Sequence, residues 1–286
     1  MNRLELGQSL ADSPALNEVR VVSVLSGKGG VGKSIIAFNL ACQIASLGYR
    51  LLLVDADISS GNVHILANVS PDCGVEQFAS GQLTLRKAVT HVNELVDILA
   101  APAGRPIPEL QQVTGAGKLV KELRQQGSAY DFIILDHSSG VSDHATVIAH
   151  ASDLNLLVLV PELTSIADAY GLYKYLVQAN DDINCCLFIN RVKSREESDY
   201  VQKRFGALAE RFLGRVPVFA GCMFEDPTVS TALAAQKPIV EVAQQCVAGQ
   251  SLMALSRMIV RGFLSPATDG TLEAINKTAT MADIRG

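Results

Sequence analysis

Several short runs along this 286-residue chain are apolar almost throughout, not at alternate positions. They are Arg20–Leu25, Leu51–Asp55, Val96–Ala100, Phe132–Asp136, Asn155–Val160, Cys186–Asn190 and Val216–Cys222. A strand with apolar side chains on both faces has to be covered on both, which is the habit of parallel sheets buried between helices. Longer stretches with helical spacing separate the runs: Gly32–Leu47, Gly117–Gln126, Ile166–Asn180, Glu196–Leu213, Thr228–Ala235 and Val247–Leu264. This alternation predicts an α/β fold, a mostly parallel sheet flanked by helices on both faces and joined by right-handed crossovers. Ligands of such sheets sit beyond the carboxyl ends of the strands.

With 48% hydrophobic and 19% charged residues, the chain can bury a sizeable core, and the pattern predicts one domain over residues 19–264. Residues 1–18 are polar, contain Pro14 and show no period, and are expected to form a flexible lead-in. Residues 265–286, rich in Thr, Ala, Gly and Asp, are expected to form a mobile tail. There are 24 Lys and Arg against 29 Asp and Glu, a net charge of −5, so no strongly basic field exists and nucleic acid is not an expected partner. The six cysteines show no CxxC spacing and no Cys/His clustering, and are expected to be reduced thiols. The start of the chain has no apolar run of the signal-peptide kind, and the longest apolar stretches, such as Leu154 to Pro161, are too short to span a bilayer. A soluble, cytoplasmic protein is the expectation.

The sharpest motif is Ser26-Gly27-Lys28-Gly29-Gly30-Val31-Gly32-Lys33-Ser34, which fits G-x-x-x-x-G-K-[ST]. An apolar strand precedes it and an amphipathic helix follows, the context in which this motif binds nucleotide. Glycines let the backbone wrap a phosphate chain, and the amides and helix N-terminus supply positive potential. Lys33 would neutralise the β- and γ-phosphates, and Ser34 would offer its hydroxyl to Mg²⁺. Two acidic clusters also end strands: Asp55-Ala56-Asp57, running on to Gly61-Asn62, and Asp136-His137-Ser138-Ser139-Gly140. Acids there can reach a nucleotide over the loop, although Asp after a strand also serves as a simple cap.

The box Lys28-Gly29-Gly30-Val31-Gly32-Lys33-Ser34 resembles the deviant Walker A motif of the MinD/ParA family of P-loop ATPases. That resemblance covers about residues 19–264 and implies ATP as substrate, with Mg²⁺. It assigns Lys28 to the bound phosphates of a partner subunit in a nucleotide-sandwich homodimer. It assigns Asp57 to orienting the hydrolytic water, Asp55 to assisting Mg²⁺ through water, and Asp136, with Ser34, to the metal. Asn190 and Arg191 at a strand end, Phe224 and Asn62 join the nucleotide-contacting set on the same ground; the absence of an NKxD run near Asn190 favours ATP over GTP. The family usually writes Asp-Thr where this chain has Asp136-His137, and His137 is expected to face solvent or be capped.

Within the family the nearest likeness is to the FlhG/FleN group, which sets flagellar number and position. It is carried by Asp55 to Val63, by Asp136 to Asp143 and by Pro161-Glu162-Leu163-Thr164-Ser165-Ile166-Ala167-Asp168-Ala169-Tyr170. In that last block Thr164 or Ser165 is expected to cap a helix starting near Ile166, with Asp168 in its first turn. Two features depart from that group. Residues 1–18 lack a DQAxxLR motif, and the end of the chain, Leu272 to Gly286, has no aromatic residue and only Lys277 and Arg285 as bases. Membrane docking is therefore weakly supported, and the helix before it is expected to cover the sheet. The resemblance implies a dimerising ATPase with a flagellar transcription activator or a polar or flagellar component as partner. Its alternatives are a low-turnover, ATP-gated binding protein and a ParA-like ATPase that segregates DNA or other cargo.

Overall fold

Eight strands build one sheet in the order β3-β4-β2-β5-β1-β6-β7-β8. The structure is a computed structural model and describes residues 18–57, 61–101 and 113–264. The strands are β1 (Arg20–Leu25), β2 (Leu51–Ala56), β3 (Thr90–His91), β4 (Val96–Leu99), β5 (Phe132–His137), β6 (Leu154–Leu159), β7 (Cys185–Val192) and β8 (Val218–Phe224). Every neighbouring pair is parallel except β3 with β4, which is antiparallel. All positions of β2, β4, β5 and β6 are buried, the reason those runs lack polar alternation.

The helices are α1 (Lys33–Ala45), α2 (Val63–Leu66), α3 (Val75–Ala79), α4 (Leu85–Ala88), α5 (Val113–Gln126), α6 (Asp143–His150), α7 (Leu163–Ala179), α8 (Arg195–Leu213), α9 (Pro227–Ala234), α10 (Ile239–Ala243) and α11 (Val247–Leu264). One sheet face, with Val22, Val24, Leu51, Leu53 and Ile134, packs against α1 and α11. The other face is covered towards β2 and β5 by Leu119, Val120 and Leu123 of α5, and towards β6 and β7 by Leu172, Tyr173 and Leu176 of α7 and Phe205 of α8. The apolar runs thus emerge as strands, with β8 shifted two residues later than its run. The sequence pattern missed β3, whose two residues are too few to make a period, and the short helices α2, α3, α4, α6 and α10. The lead-in and tail expectations, and Ile58, Ser59 and Ser60, lie outside the described residues.

Ala248, Leu252, Leu255 and Ile259 of α11 are buried, while Arg257 and Arg261 of the same helix are exposed. The apolar side therefore closes the sheet instead of lying free for a lipid surface. Among the described residues no helix is long and apolar enough to cross a membrane. Truncating Leu255 to Ala should cost about 2–5 kcal/mol and lower the urea midpoint. An unchanged midpoint would place this side outside the core.

Candidate functional site

The loop between β1 and α1 turns with Gly30 at φ 78° and Gly32 at φ 90°, a region L side chains rarely adopt. Gly32 also caps α1, and no side chain caps the helix, which leaves the amide-rich turn facing outward for an anion. A Cβ on Gly27 would lie 2.2 Å from the backbone carbonyl of Asp168, so only glycine lets the loop lie against α7. Val31 is buried, and its carbonyl accepts from Asn190 Nδ2 at 2.7 Å. The loop is therefore seated on α7 from one side and on the end of β7 from another.

Register then brings the carboxylates together, because Asp55 of β2 pairs with Asp136 of β5 and both are buried. Lys33, at the start of α1, donates to Asp136 Oδ1 at 2.5 Å and lies 3.4 Å from Ser34 Oγ. Burial holds the Asp136 carboxyl above its ordinary range, against the opposing pull of Lys33 and Ser34. Asp55 is pushed up to about 7, first by burial and then by repulsion from Asp136. Its Oδ1 accepts the Asp57 N–H and its Oδ2 the Val63 N–H, each at 3.2 Å. The structure thus makes Asp55 a brace between β2 and α2, with both oxygens engaged. Asp57 is half-buried next to it; burial lowers the pKa of the nearby His144 ring, against the opposing pull of Asp143 and Asp57.

Lys28 sits at the mouth of the site. Its Nζ donates to Glu162 Oε2 at 2.7 Å and to Thr164 Oγ1 at 3.0 Å, and holds the Glu162 carboxyl below its usual range. Thr164 does not cap α7 because it lies inside the helix as its second residue. That helix begins at Leu163, behind Glu162, and Ser165 turns back to accept the Val160 N–H at 3.1 Å. The expected cap is absent for that reason, and no acid lies in the first turn, which ends before Asp168. His137 overturns its expectation too: it is 1% exposed, its Nε2 lies 2.8 Å from Ser23 Oγ, and burial pushes its pKa down to about 3.

Asn190 is buried, and its Oδ1 accepts the Arg191 N–H at 2.9 Å; Arg191 is exposed with φ 57°. Asn190 is hence a support of the phosphate loop, whatever it does towards a base. Phe224 is partly buried against the core under α7 and α8, and Asn62 is an exposed residue preceding α2. No local motif marks Glu162, Thr164, Ser23 and Ser152 as site-associated. A lysine near glycines carries no sign of which helix it will meet, and serines inside apolar runs read as core filler.

The Ser34 hydroxyl and the Asp136 carboxylate flank the Lys33 ammonium. They are hard oxygen donors, which fits Mg²⁺ bound through one carboxylate with phosphate and water completing its shell. Among the described residues no group of three or more His, Cys, Asp or Glu could hold a metal unaided.

Residues 22–239 match the CobQ/CobB/MinD/ParA nucleotide binding domain. The chain belongs to this family. It is a MinD/ParA-type ATPase. It is 28% identical over 246 residues to the antiactivator FleN of Pseudomonas aeruginosa, covering 86% of this chain and 88% of that protein. To the flagellum site-determining protein YlxH of Helicobacter pylori it is 24% identical over 244 residues, covering 84% and 82%. The fold matches the septum site-determining protein MinD complexed with Mg-ADP from Pyrococcus horikoshii OT3, with TM-score 0.70, 22% identity and coverage of 83% and 94%. It also matches a chain of the MinC:MinD cell division protein complex of Aquifex aeolicus, with TM-score 0.71, 23% identity and coverage of 88% and 100%.

Folded Asp55 keeps its proton to about pH 7, whereas its ordinary value is 3.8. The folded state binds the extra proton, so stability present at low pH is lost as pH rises through that window. Asp55→Asn should flatten this fall. Its stability relative to the wild type should rise between pH 5 and pH 8 by on the order of 2 kcal/mol, read from denaturation midpoints. A difference that does not vary with pH would contradict the shift.

Proposed function

We propose that this MinD/ParA-type ATPase is an ATP-dependent dimerising switch that controls the number or placement of flagella. The observation that carries the switch is Lys28, outside the pocket floor and paired with Glu162 and Thr164 at the exposed start of α7. An exposed pair of this kind is screened by solvent and contributes little, so a bound phosphate chain can outcompete it. Released from Glu162, Lys28 is free to reach the phosphates of a second subunit. Exposed Leu163 and Val141 flank the same mouth and offer apolar area for a dimer. The likeness to an antiactivator and to a flagellum site-determining protein supports the flagellar assignment, with a flagellar transcription activator or a polar component as partner.

In this reading the amides from Gly27 to Ser34 hold the phosphates, and Lys33 neutralises the charge that develops on them. Mg²⁺ between Ser34 and Asp136 would supply positive charge to the phosphate oxygens. Asp57 orients the attacking water, and Asn190 keeps the loop in shape from below through Val31. Base contacts fall to Asn190 and Phe224, and Asn62 and Arg191 join the nucleotide-contacting set. The difference in binding energy between ATP and ADP drives the change from monomer to dimer, and hydrolysis reverses it. A second reading, a low-turnover protein that restrains a transcription activator, draws on the antiactivator likeness.

Light scattering with the Asp57→Ala variant, in ADP and then in ATP, tests the switch. Mass should double in ATP alone, and Lys28→Ala should stay monomeric while still binding ATP. A monomer in both nucleotides, with ATP bound, would overturn the switch. In cells, Lys28→Ala and Asp57→Ala should each change flagellar number or position. Full function of both variants would favour the low-turnover reading, and an unaltered flagellar pattern on deletion would sink the flagellar one.

A further inference from the structure

On the sheet face opposite Asp136 a chain of hydrogen bonds runs inward from Ser152, which is half-buried. Ser152 Oγ lies 2.9 Å from the Ile148 carbonyl and 2.8 Å from Ser23 Oγ. Ser23 Oγ in turn lies 2.8 Å from His137 Nε2, and both Ser23 and His137 are buried.

The chain joins three points that matter for the site. His137 ends β5 immediately after Asp136, Ser23 lies in β1 shortly before the phosphate loop, and Ser152 follows α6. It thereby closes the segment from Ser138 to Ala151 at its root. Within that segment, the Gly140 N–H donates to the Ser26 carbonyl at 2.9 Å, tying it to the first residue of the loop motif. Any tilt of β5's last residue would move the Asp136 carboxylate and the Gly140–Ser26 contact together.

We infer that His137 is a positioning residue for ATP hydrolysis, which through its Nε2–Ser23 hydrogen bond holds Asp136 and the segment after it in register with the phosphate loop. The inference rests on the assignment of Asp136 to the Mg²⁺ site. It predicts a defect in turnover, not in nucleotide affinity, when that hydrogen bond is lost, because the amides and Lys33 that hold the phosphates belong to α1 and its loop.

Glutamine can place an amide N–H close to the Nε2 position, whereas asparagine reaches only the Nδ1 position. His137→Gln should therefore keep kcat within about threefold of wild type, while His137→Asn loses about 10- to 100-fold with an unchanged KM for ATP. Both variants enlarge the core gap, so their melting temperatures should fall together; a kcat loss that follows melting temperature instead of the position of the amide would overturn the inference. So would equal kcat in the two variants. Should both His137 variants fail to fold, Ser23→Ala supplies the test from the other side of the hydrogen bond. It should lower kcat with an unchanged KM for ATP, and an unchanged kcat would overturn the inference. Asp136→Asn separates the two layers. If it turns over ATP like wild type, the metal assignment fails and this inference with it; if it is inactive while His137→Asn is not, only the inference fails.

Discussion

Two buried carboxylates face one buried ammonium at the heart of this molecule, and much of its architecture serves to hold them. Asp55 and Asp136 are forced side by side by the parallel register of β2 and β5, and Lys33 reaches only Asp136. The side chains of Lys33 and Asp136 are 8% and 2% exposed, so neither is relieved by water. A buried pair of this sort is weak evidence for stability, since desolvation cancels much of its attraction. What it does ensure is that acidic oxygens stand beside the lysine at the carboxyl ends of the strands, where a divalent cation and a phosphate chain are mutually compensating ligands. Burial first, and then the neighbouring Asp136, raise the carboxyl of Asp55.

The phosphate loop is correspondingly a place where several elements meet. Gly27 lies against the α7 backbone, Val31 is held from β7 by Asn190, and Ser26 accepts from Gly140 beyond β5. Each contact uses a backbone group or a glycine, so the loop's shape is set by its surroundings more than by its own side chains. That arrangement ties the loop to the segments after β5 and before α7. Lys28 is held at the start of α7 by Glu162 and Thr164.

The strands and the longer helices were legible because a buried parallel sheet needs apolar residues on both faces, and because the helices from α7 to α11 are mostly long enough to show a period. The phosphate loop was legible because its chemistry demands glycines and a lysine in consecutive order. His137 was misread. A polar residue after Asp136 looks like part of an exposed turn, and nothing local indicates that Ser23 and Ser152, more than a hundred residues apart, provide it with a buried partner. Thr164 and Ser165 were misread for a related reason: hydroxyls near a helix start suit capping, yet here both lie inside the helix, one meeting Lys28 and the other Val160. Asp55 followed a family pattern that points to the metal, while its oxygens hold the backbone of Asp57 and Val63.

The sequence by itself determined the α/β class, the phosphate loop with Lys33 and Ser34, and the acids that end β2 and β5, since each is a property of neighbouring residues along the chain. The tertiary structure alone decided which acid pairs with Lys33, where Lys28 rests, and that α11 closes the sheet. It also decided that His137 is buried and neutral. These depend on strand order and register, which bring distant segments within hydrogen-bond reach, and no local spacing encodes which distant group will arrive there.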